Sequence, residues 1–367
     1  MVKHHPENER IKRQYFIYLE EAKRMAPSSV DQVAASIALF EKSTGHRSFK
    51  VFHIEQAKKF KRDLEGMTNP KTGKPLAKST INSRLMALKA FVQWLAGQPG
   101  YKSRISYPDA DYFNPSANDT RIAKAEREKR IPTIEQIRHV LDTMPTATVM
   151  DRRDRALIAF TLLSGARDDA IASLKIRHID LTKRMVDQDA RTVRTKNRKS
   201  FVSWFFPVGE DIDAIVAGWI KELTTDHLFG PDDPLFPATK IDLDENGHFA
   251  PVGITRECWR NAAAIRRIFK ERFEACGLPY FNPHSFRNTL VQLGEKRCRT
   301  PEEFKAWSQN LGHEQVLTTF LSYGAVARDR QGEIMHRIGA ALLDTAPYSQ
   351  AVLEMADKLV KAGIGTP

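Results

Sequence analysis

The regular spacing of apolar residues along this chain stops at Gln98 and resumes only after Arg130, and this interruption constrains the fold more than any other feature. Proline, glycine and a cluster of Asp, Asn and Ser residues fill it, a composition typical of loops. The 367 residues suit two domains of about 150 residues each. We therefore predict an N-terminal extension with a helix (1–27), an all-α domain (28–97), a linker (98–130), a second domain (131–346) and a helical tail (347–367).

The clearest helical pattern before the linker lies in Ser79–Leu95. Its apolar residues recur at spacings of four, three, four and three, which places them on one face of a helix. Lys78, Arg84 and Lys89 lie off that face. Shorter helical patterns occupy residues 8–25, 28–40 and 54–64, so the sequence predicts an all-α unit with one basic face.

The part after the linker mixes helices with a few strands. Thr133, followed three residues later by Gln136, has the pattern of a capping box. Two β-branched and aromatic segments, His178–Gln188 and Ala190–Phe206, predict a small antiparallel sheet with Asn197 in a turn, and residues 230–253 have the composition of a loop. Helices are expected over residues 149–164, 256–276, 284–293, 301–309 and 328–342. The predicted fold class is mainly α with a small antiparallel β-sheet.

The formal net charge of +12 is concentrated in the first third of the chain. Residues 1–130 carry +11, whereas residues 131–367 carry only +1. Residues 71–90, 121–130 and 191–200 hold +5, +3 and +5. A charged run is ordinarily a solvated face, but basic segments are also how a protein contacts a polyanion. The candidate contacts are Lys71, Lys74, Lys78, Arg84, Lys89, Arg194, Arg198 and Lys199.

Several classes of protein are excluded by the composition. The longest uncharged apolar run, residues 156–166, is too short to span a bilayer. Met1–Arg10 lacks the apolar segment of a secretion signal, so we expect a cytoplasmic protein. Cys258, Cys276 and Cys298 are odd in number and lack the spacing of a zinc site, which predicts reduced, structural thiols.

Six residues could carry chemistry, although each is a weak signal alone. His284 and Arg287 stand three residues apart, which places them on one face of a helix where both can bind a single anion. The others precede and follow them along the chain. In order, the set is Arg167 after Ser164-Gly165-Ala166, Lys196 in the predicted turn, His284-x-x-Arg287, His313 in Leu-Gly-His, and Tyr323.

This ordered set resembles the tyrosine recombinase, or phage integrase, family. The resemblance covers residues 131 to about 343, and Ser79–Leu95 is similar to the last helix of that family's core-binding domain. It implies a two-domain DNA clamp, with an all-α SAM-like core-binding domain and a mixed α+β catalytic domain. The segment before residue 28 is too short for the separate arm-binding domain of some integrases, so we expect none.

The resemblance also implies the reaction. Tyr323 would attack the scissile phosphate to form a 3′-phosphotyrosyl bond and release a 5′-hydroxyl, which keeps the bond energy for rejoining without ATP. Lys196 would act as the general acid for the leaving oxygen. The partner would be double-stranded DNA, on which four copies assemble when two sites synapse, and the helix expected over Tyr348–Lys361 would dock on a neighbouring copy.

The remaining residues of the set would handle the charge of the phosphate. Arg167 and Arg287 offer paired donors to the non-bridging oxygens and stay charged. His284 and His313 would orient the phosphate and the tyrosine and transfer protons. Because the two arginines supply positive charge, the resemblance implies no catalytic metal and no cofactor. Ser79–Leu95 would lie in a major groove, with Lys78 and Arg84 as candidates for base contacts.

Some alternatives stay open. Tyr348 is the other candidate nucleophile, and Lys199 flanks the same turn as Lys196. The family commonly has an acidic residue three positions after the first arginine, but Ala170 stands there, so Asp169 is the candidate to support Arg167. A type IB topoisomerase shares this chemistry without synapsis, and a non-catalytic DNA-binding protein would keep only the clamp. The recognition sequence and the direction of recombination are not encoded in any motif.

Overall fold

The computed structural model describes residues 5–70, 72–124, 130–243 and 247–313. The chain divides near residue 126 into two compact units, each with its own core. The helices of the first unit are α1 (Pro6–Ile17), α2 (Pro27–Ser43), α3 (Ile54–Glu65), α4 (Lys78–Ala96) and α5 (Ala117–Lys124), with a π-helical turn at Tyr18–Ala22 and 3₁₀ turns at Phe49–Val51 and Tyr107–Phe113.

The first unit is all-α in its described part, and α4 lies at its centre. The predicted apolar face of α4 is buried, and Leu88 and Phe91 are fully enclosed. Aromatic rings fill the space around it: Phe49 meets Phe91 edge to face, with ring centroids 5.1 Å apart. The helices predicted before the linker are therefore confirmed, because each of them buries one apolar stripe in this core.

Part of the predicted linker belongs to the first unit. Residues 107–113 form a 3₁₀ helix opened by Ser106 and Asp109, and Phe113 at its end is fully buried. The Phe113 ring packs edge to face on Phe40 at 5.5 Å. A short 3₁₀ helix has no 3.6-residue apolar stripe, so its buried residues escape a search for helical periodicity.

The second unit surrounds α7, whose residues 156–164 are all buried. The predicted capping box forms at the start of α6: Thr133 Oγ1 accepts from the Gln136 amide, and Gln136 Oε1 accepts from the Thr133 amide. The helices are α6 (Ile134–Thr143), α7 (Val149–Ser164), α8 (Asp168–Ile171), α9 (Glu210–Thr225), α10 (Ala263–Ala275), α11 (Ser285–Arg297) and α12 (Pro301–Asn310), with 3₁₀ turns at Ile176–His178 and Lys196–Arg198.

A three-stranded antiparallel sheet confirms the predicted one. Its strands β1 (Ile179–Asp180), β2 (Met185–Gln188) and β3 (Phe201–Trp204) are adjacent in chain order, with Val186 opposite Ser203. The fold is thus mainly helical with small antiparallel sheets, as the sequence predicts. None of the helices in the described ranges is both long and apolar enough to cross a membrane.

The loop predicted over residues 230–253 is wrong in its second half. Strands β4 (Pro237–Leu243) and β5 (Phe249–Cys258) pair there as an antiparallel hairpin, and the helix expected from Arg256 begins only at Ala263. Proline, glycine and aspartate residues in this stretch hid the alternation of Ile241 and Leu243 with polar neighbours. Exposed strands also lack the buried face that makes a strand pattern distinct.

Candidate active site

The end of α7 positions the first arginine of the predicted set. Gly165 ends the helix in the left-handed conformation, with φ +60°. The chain then turns so that Arg167 caps the N-terminus of α8. Arg167 is partly buried, and burial lowers the pKa of its guanidinium. The backbone oxygen of Arg167 accepts from the Ile171 amide at 2.9 Å, but its guanidinium has no hydrogen bond or ion pair with any residue that the structure describes.

Arg287 lies on the first turn of α11 and is only 3% exposed. Its two terminal nitrogens donate to the backbone oxygens of Gly165 and Leu311. Burial and the charge of Arg167 lower the pKa of Arg287 to about 9, so it is still a cation at neutral pH. Its Nε is buried and has no hydrogen-bond partner among the described residues. Arg287 is therefore a fixed, incompletely satisfied cation beside Arg167.

The Leu-Gly-His motif forms the turn that ends α12. Gly312 adopts φ +69°, and a Cβ built on it would lie 2.9 Å from the Phe201 ring, so that ring packs directly on the glycine. The turn places His313 Nε2 at 3.2 Å from Arg287 Nη2. Since a guanidinium can only donate, His313 accepts at Nε2 and carries its proton on Nδ1.

His313 is neutral at physiological pH. Burial and the charges of Arg287, Arg167 and His284 lower the pKa of His313 to about 4. His284, at the N-cap of α11, is exposed. The electrostatic interactions show that the structure brings Arg167, His284, Arg287 and His313 together.

The loop between β2 and β3 carries Lys196. The lysine is exposed at a 3₁₀ turn in which Asn197 has φ 58°, as expected of an asparagine in a turn. The loop runs into Phe201, whose ring contacts Gly312 beside His313. Several predicted features lie outside the residues that the structure describes. They are Lys71, Tyr323, the alternative nucleophile Tyr348, and the helices expected over 328–342 and 348–361.

Asp169 does not support Arg167 as the sequence suggested. Its carboxylate accepts from Arg194 Nε at 3.1 Å, and the neighbouring Asp168 accepts from Arg266 Nε at 2.7 Å. Both acidic residues point to cations from distant segments, because their place on α8 faces the β2–β3 loop and α10. Ala170 is buried and supplies no acidic group in their place.

The candidate DNA contacts fall into two groups. Lys78, Lys89 and Arg194 are paired within their own units, with Asp119 at 2.7 Å, Asp111 at 2.8 Å and Asp169 at 3.1 Å. Lys74, Arg198 and Lys199 are exposed, and Arg84 is partly exposed on α4. The pairs join residues far apart in sequence, so the basic runs alone could not reveal which cations are already neutralised.

The site also depends on two backbone positions that sequence reasoning did not single out as functional. Gly165 supplies the carbonyl that binds Arg287, and a Cβ there would lie 2.9 Å from Leu311 and 3.0 Å from Phe206. Gly312 permits the turn to His313. A glycine directly after a helix is the usual signal for such a left-handed cap, and both motifs carry it.

Acidification should destabilise the folded state through His313. An unfolded histidine has a pKa of about 6.5, whereas the pKa of His313 in the fold is about 4. The unfolded state therefore binds the proton first as pH falls, so this stabilisation is complete above about pH 6.5 and is lost towards pH 4. Lowering the pH from about 7.5 to about 5 should reduce the urea concentration at the midpoint of unfolding more in the wild type than in His313→Gln. Equal losses would contradict the buried, neutral imidazole.

No protein-family model matches the sequence, and no curated protein matches it. Solved structures do match over most of the chain. A lambda integrase dimer bound to a COC′ core site is similar with a TM-score of 0.59 and 12% identity, over 87% of this chain and 96% of that one. The XerH site-specific recombinase bound to palindromic difH gives a TM-score of 0.56 and 16% identity, over 91% and 85%. The Tn1549 transposon integrase with transposon right end DNA gives 0.53 and 14%, over 90% and 99%.

Proposed function

We propose that this chain, whose fold is that of the tyrosine recombinases and integrases, cleaves and rejoins DNA strands at specific sites through a covalent bond to its own Tyr323. One observation carries the proposal: the fold gathers Arg167, Arg287, His284 and His313 from three separate segments into one cluster. These residues occur in the order and spacing that the family resemblance requires.

The electrostatics of the cluster favour a phosphate as its ligand. Neither Arg167 nor Arg287 forms an ion pair with any described carboxylate, and the charge of Arg167 lowers the pKa of the buried Arg287. A buried cation and a partly buried one that lack a counterion destabilise a fold unless an anion neutralises them. A phosphodiester carries the matching charge, and its non-bridging oxygens accept the paired donors of a guanidinium.

In the proposed reaction, one bond to phosphorus forms and another breaks. The Tyr323 phenol oxygen attacks phosphorus, the bond from phosphorus to the 5′ oxygen breaks, and its electron pair stays on that oxygen. Lys196 Nζ gives the 5′ oxygen a proton, because an alkoxide is a poor leaving group. Arg167 and Arg287 stabilise the charge on the non-bridging oxygens during the transfer. The reverse sequence, with a different 5′-hydroxyl, rejoins the strand.

The two histidines take different parts. The His313 Nε2 lone pair accepts from Arg287, so Nδ1–H is the group that can donate to a phosphate oxygen. His284 is exposed at the start of α11 and is the candidate to receive the phenol proton. A neutral His313 held by Arg287 therefore orients the phosphate, and His284 transfers the proton.

Double-stranded DNA is the proposed partner. Lys74 and Arg198 are exposed and can contact phosphates, Lys199 is exposed beside them, and Arg84 lies partly exposed on α4. Such contacts hold the duplex without specifying its sequence. On synapsed DNA we expect a homo-tetramer, with the segment 347–367 docking on a neighbouring copy. Deleting it should then impair synapsis more than binding to a single site.

Covalent capture of DNA tests the proposed function. Duplexes selected from a random pool by the full-length protein are rebuilt with a nick near the cleavage position, so that a short fragment leaves and rejoining is blocked. Wild-type protein should form an adduct that survives denaturation, because the phosphotyrosyl bond is covalent. Tyr323→Phe should form none, since it lacks the attacking oxygen.

Tyr348→Phe is the matched control and should keep the adduct. An adduct in Tyr323→Phe would overturn the assignment of the nucleophile, and its loss in Tyr348→Phe alone would transfer the role to that residue. Absence of any adduct with wild-type protein on its selected DNA would overturn the enzymatic function and leave a DNA-binding protein.

A further inference from the structure

The loop that carries Lys196 has a fixed first half and an exposed second half. Val193 is buried in the core, and Thr192 Oγ1 lies 3.0 Å from Nε2 of the buried His178. From Lys196 to Ser200 every side chain is exposed. Lys196 is therefore the first exposed residue after the anchored part, and its position depends on how firmly the preceding residues are held.

Arg194 provides the last anchor before Lys196. Its backbone amide donates to Ser173 Oγ at 2.9 Å. Its guanidinium donates from Nε to Asp169 Oδ1 at 3.1 Å and from Nη2 to the Trp259 oxygen at 2.9 Å. We call these three contacts the Arg194 clamp. Two of them are made to residues 169–173, which directly follow Arg167.

The other end of the loop contacts the turn that carries His313. Phe201 starts β3, and its ring packs against Gly312, the residue before His313. The loop is thus fastened to the segment of Arg167 at one end and to the segment of His313 at the other. Lys196 therefore lies between two segments that are each packed against residues close in sequence to the cluster.

We propose that Arg194 is a positioning residue, which acts through Asp169 to hold Lys196 over the leaving oxygen. The basic run predicts instead that Arg194 contacts DNA phosphate. Its charge, however, is already paired with Asp169, and two of its nitrogens are committed to protein acceptors. A phosphate contact through Nε or one that draws Arg194 away from Asp169 would break the clamp that fixes the loop. This proposal rests on the proposed function, because it assigns Arg194 a part in the same reaction.

Changing the leaving group distinguishes a residue that positions Lys196 from a residue that contacts DNA phosphate. A 5′ oxygen needs a proton to depart, whereas a sulfur in the same bridging position departs as a thiolate, because a thiol has a pKa of only about 8.5. A variant that misplaces the general acid is therefore slow on the oxygen substrate and nearly normal on the sulfur substrate. A variant that binds DNA poorly or folds poorly is slow on both.

The experiment measures single-turnover cleavage by the full-length protein on the selected DNA, with oxygen or sulfur at the bridging 5′ position. Lys196→Ala is the reference variant. Its cleavage rate should fall about a hundredfold or more on the oxygen substrate and stay near the wild-type rate on the sulfur substrate. The cleavage rates of Arg194→Ala and Asp169→Ala should each fall about ten- to a hundredfold on the oxygen substrate and less than about threefold on the sulfur substrate. The double variant should be no slower than the slower single variant, because both changes open one clamp.

Arg191→Ala removes an equal charge from the same loop and is the matched control. Arg191 is exposed and pairs with the adjacent Asp189 at 2.7 Å, outside the clamp. The ratio of the cleavage rate on the oxygen substrate to that on the sulfur substrate should be the same in Arg191→Ala as in the wild type. Since Asp169 is itself half exposed, Asp169→Ala is expected to fold normally, and thermal unfolding verifies this.

Equal losses on both substrates in Arg194→Ala would overturn the proposal and return Arg194 to the phosphate contacts. Cleavage of the oxygen substrate at the wild-type rate by Asp169→Ala would overturn it as well. If Lys196→Ala loses equally on both substrates, the general-acid assignment is wrong and the positioning role falls with it. Failure of the wild type to cleave either substrate would instead overturn the proposed function itself.

Discussion

Arg287→Met should abolish most strand cleavage, with a loss of about a thousandfold or more. The substitution removes the more deeply buried of the two cations that we propose bind the phosphate, and it removes the donor to His313 Nε2. In the proposed reaction both effects act on the transferring phosphoryl group, where charge stabilisation contributes most to the rate. Single-turnover cleavage of the selected DNA measures the loss, and a fall of less than about tenfold would contradict the assignment.

The same substitution should change stability only modestly. It leaves the carbonyls of Gly165 and Leu311 without their donor, which costs about 1 to 3 kcal/mol for each buried group. It also removes a buried cation that has no described carboxylate partner, which offsets that cost. We therefore expect the free energy of unfolding to change by less than about 2 kcal/mol.

Inorganic phosphate provides a readout that needs no DNA. A ligand that binds only the folded state raises the unfolding temperature, so phosphate should stabilise the wild type and fail to stabilise Arg287→Met. Arg267→Met is the matched control: Arg267 is exposed on α10 and pairs only loosely with Glu271 at 3.8 Å. It should respond to phosphate as the wild type does. An equal response in Arg287→Met would exclude phosphate binding at this cluster.

Gly165→Ala should have the largest effect on folding, a destabilisation of about 2 to 4 kcal/mol. The left-handed φ of +60° is strained for alanine, and the added methyl group would meet Leu311 at 2.9 Å, Phe206 at 3.0 Å and Leu290 at 3.1 Å. These neighbours are buried and cannot move apart freely. Because the Gly165 carbonyl also binds Arg287, cleavage should fall in the protein that still folds.

Gly218→Ala is the control for this prediction. Gly218 lies on the exposed side of α9, and a methyl group there would have no atom within 4 Å. Alanine at such a helical position should stabilise the fold by about 0.5 to 1 kcal/mol. Urea unfolding compares the two variants. A loss below about 1 kcal/mol for Gly165→Ala would show that the end of α7 adapts to a side chain.

The sequence predicted those elements that bury one face in a core. The stripe in α4 and the capping box at Thr133 are local signals, and each marked its helix within one or two residues. The β4–β5 hairpin was missed because its strands are largely exposed, and the 3₁₀ turn at 107–113 because it is too short to show a period.

The order of residues along the chain predicted the candidate site residues, but it could not predict which residues they pair with in the fold. Ion pairs such as Asp169 with Arg194 and Lys78 with Asp119 join distant positions, and no local pattern predicts them. Basic runs therefore predict an anionic partner only as a class, whereas the structure identifies cations such as Lys78 and Arg194 that are paired within their own unit. The same holds for Gly165, whose carbonyl acts on a residue far along the chain.

The hydrogen bond from Arg287 to Gly165 spans 122 positions of sequence. During synthesis, Gly165 and Arg167 leave the ribosome long before Arg287 and His313 exist. A nascent chain can complete its N-terminal unit while the cluster of Arg167, His284, Arg287 and His313 still lacks three of its four side chains. Under the proposed function, an incomplete chain that contacts DNA consequently cannot cut it, because strand cleavage requires a second unit that has closed around α7.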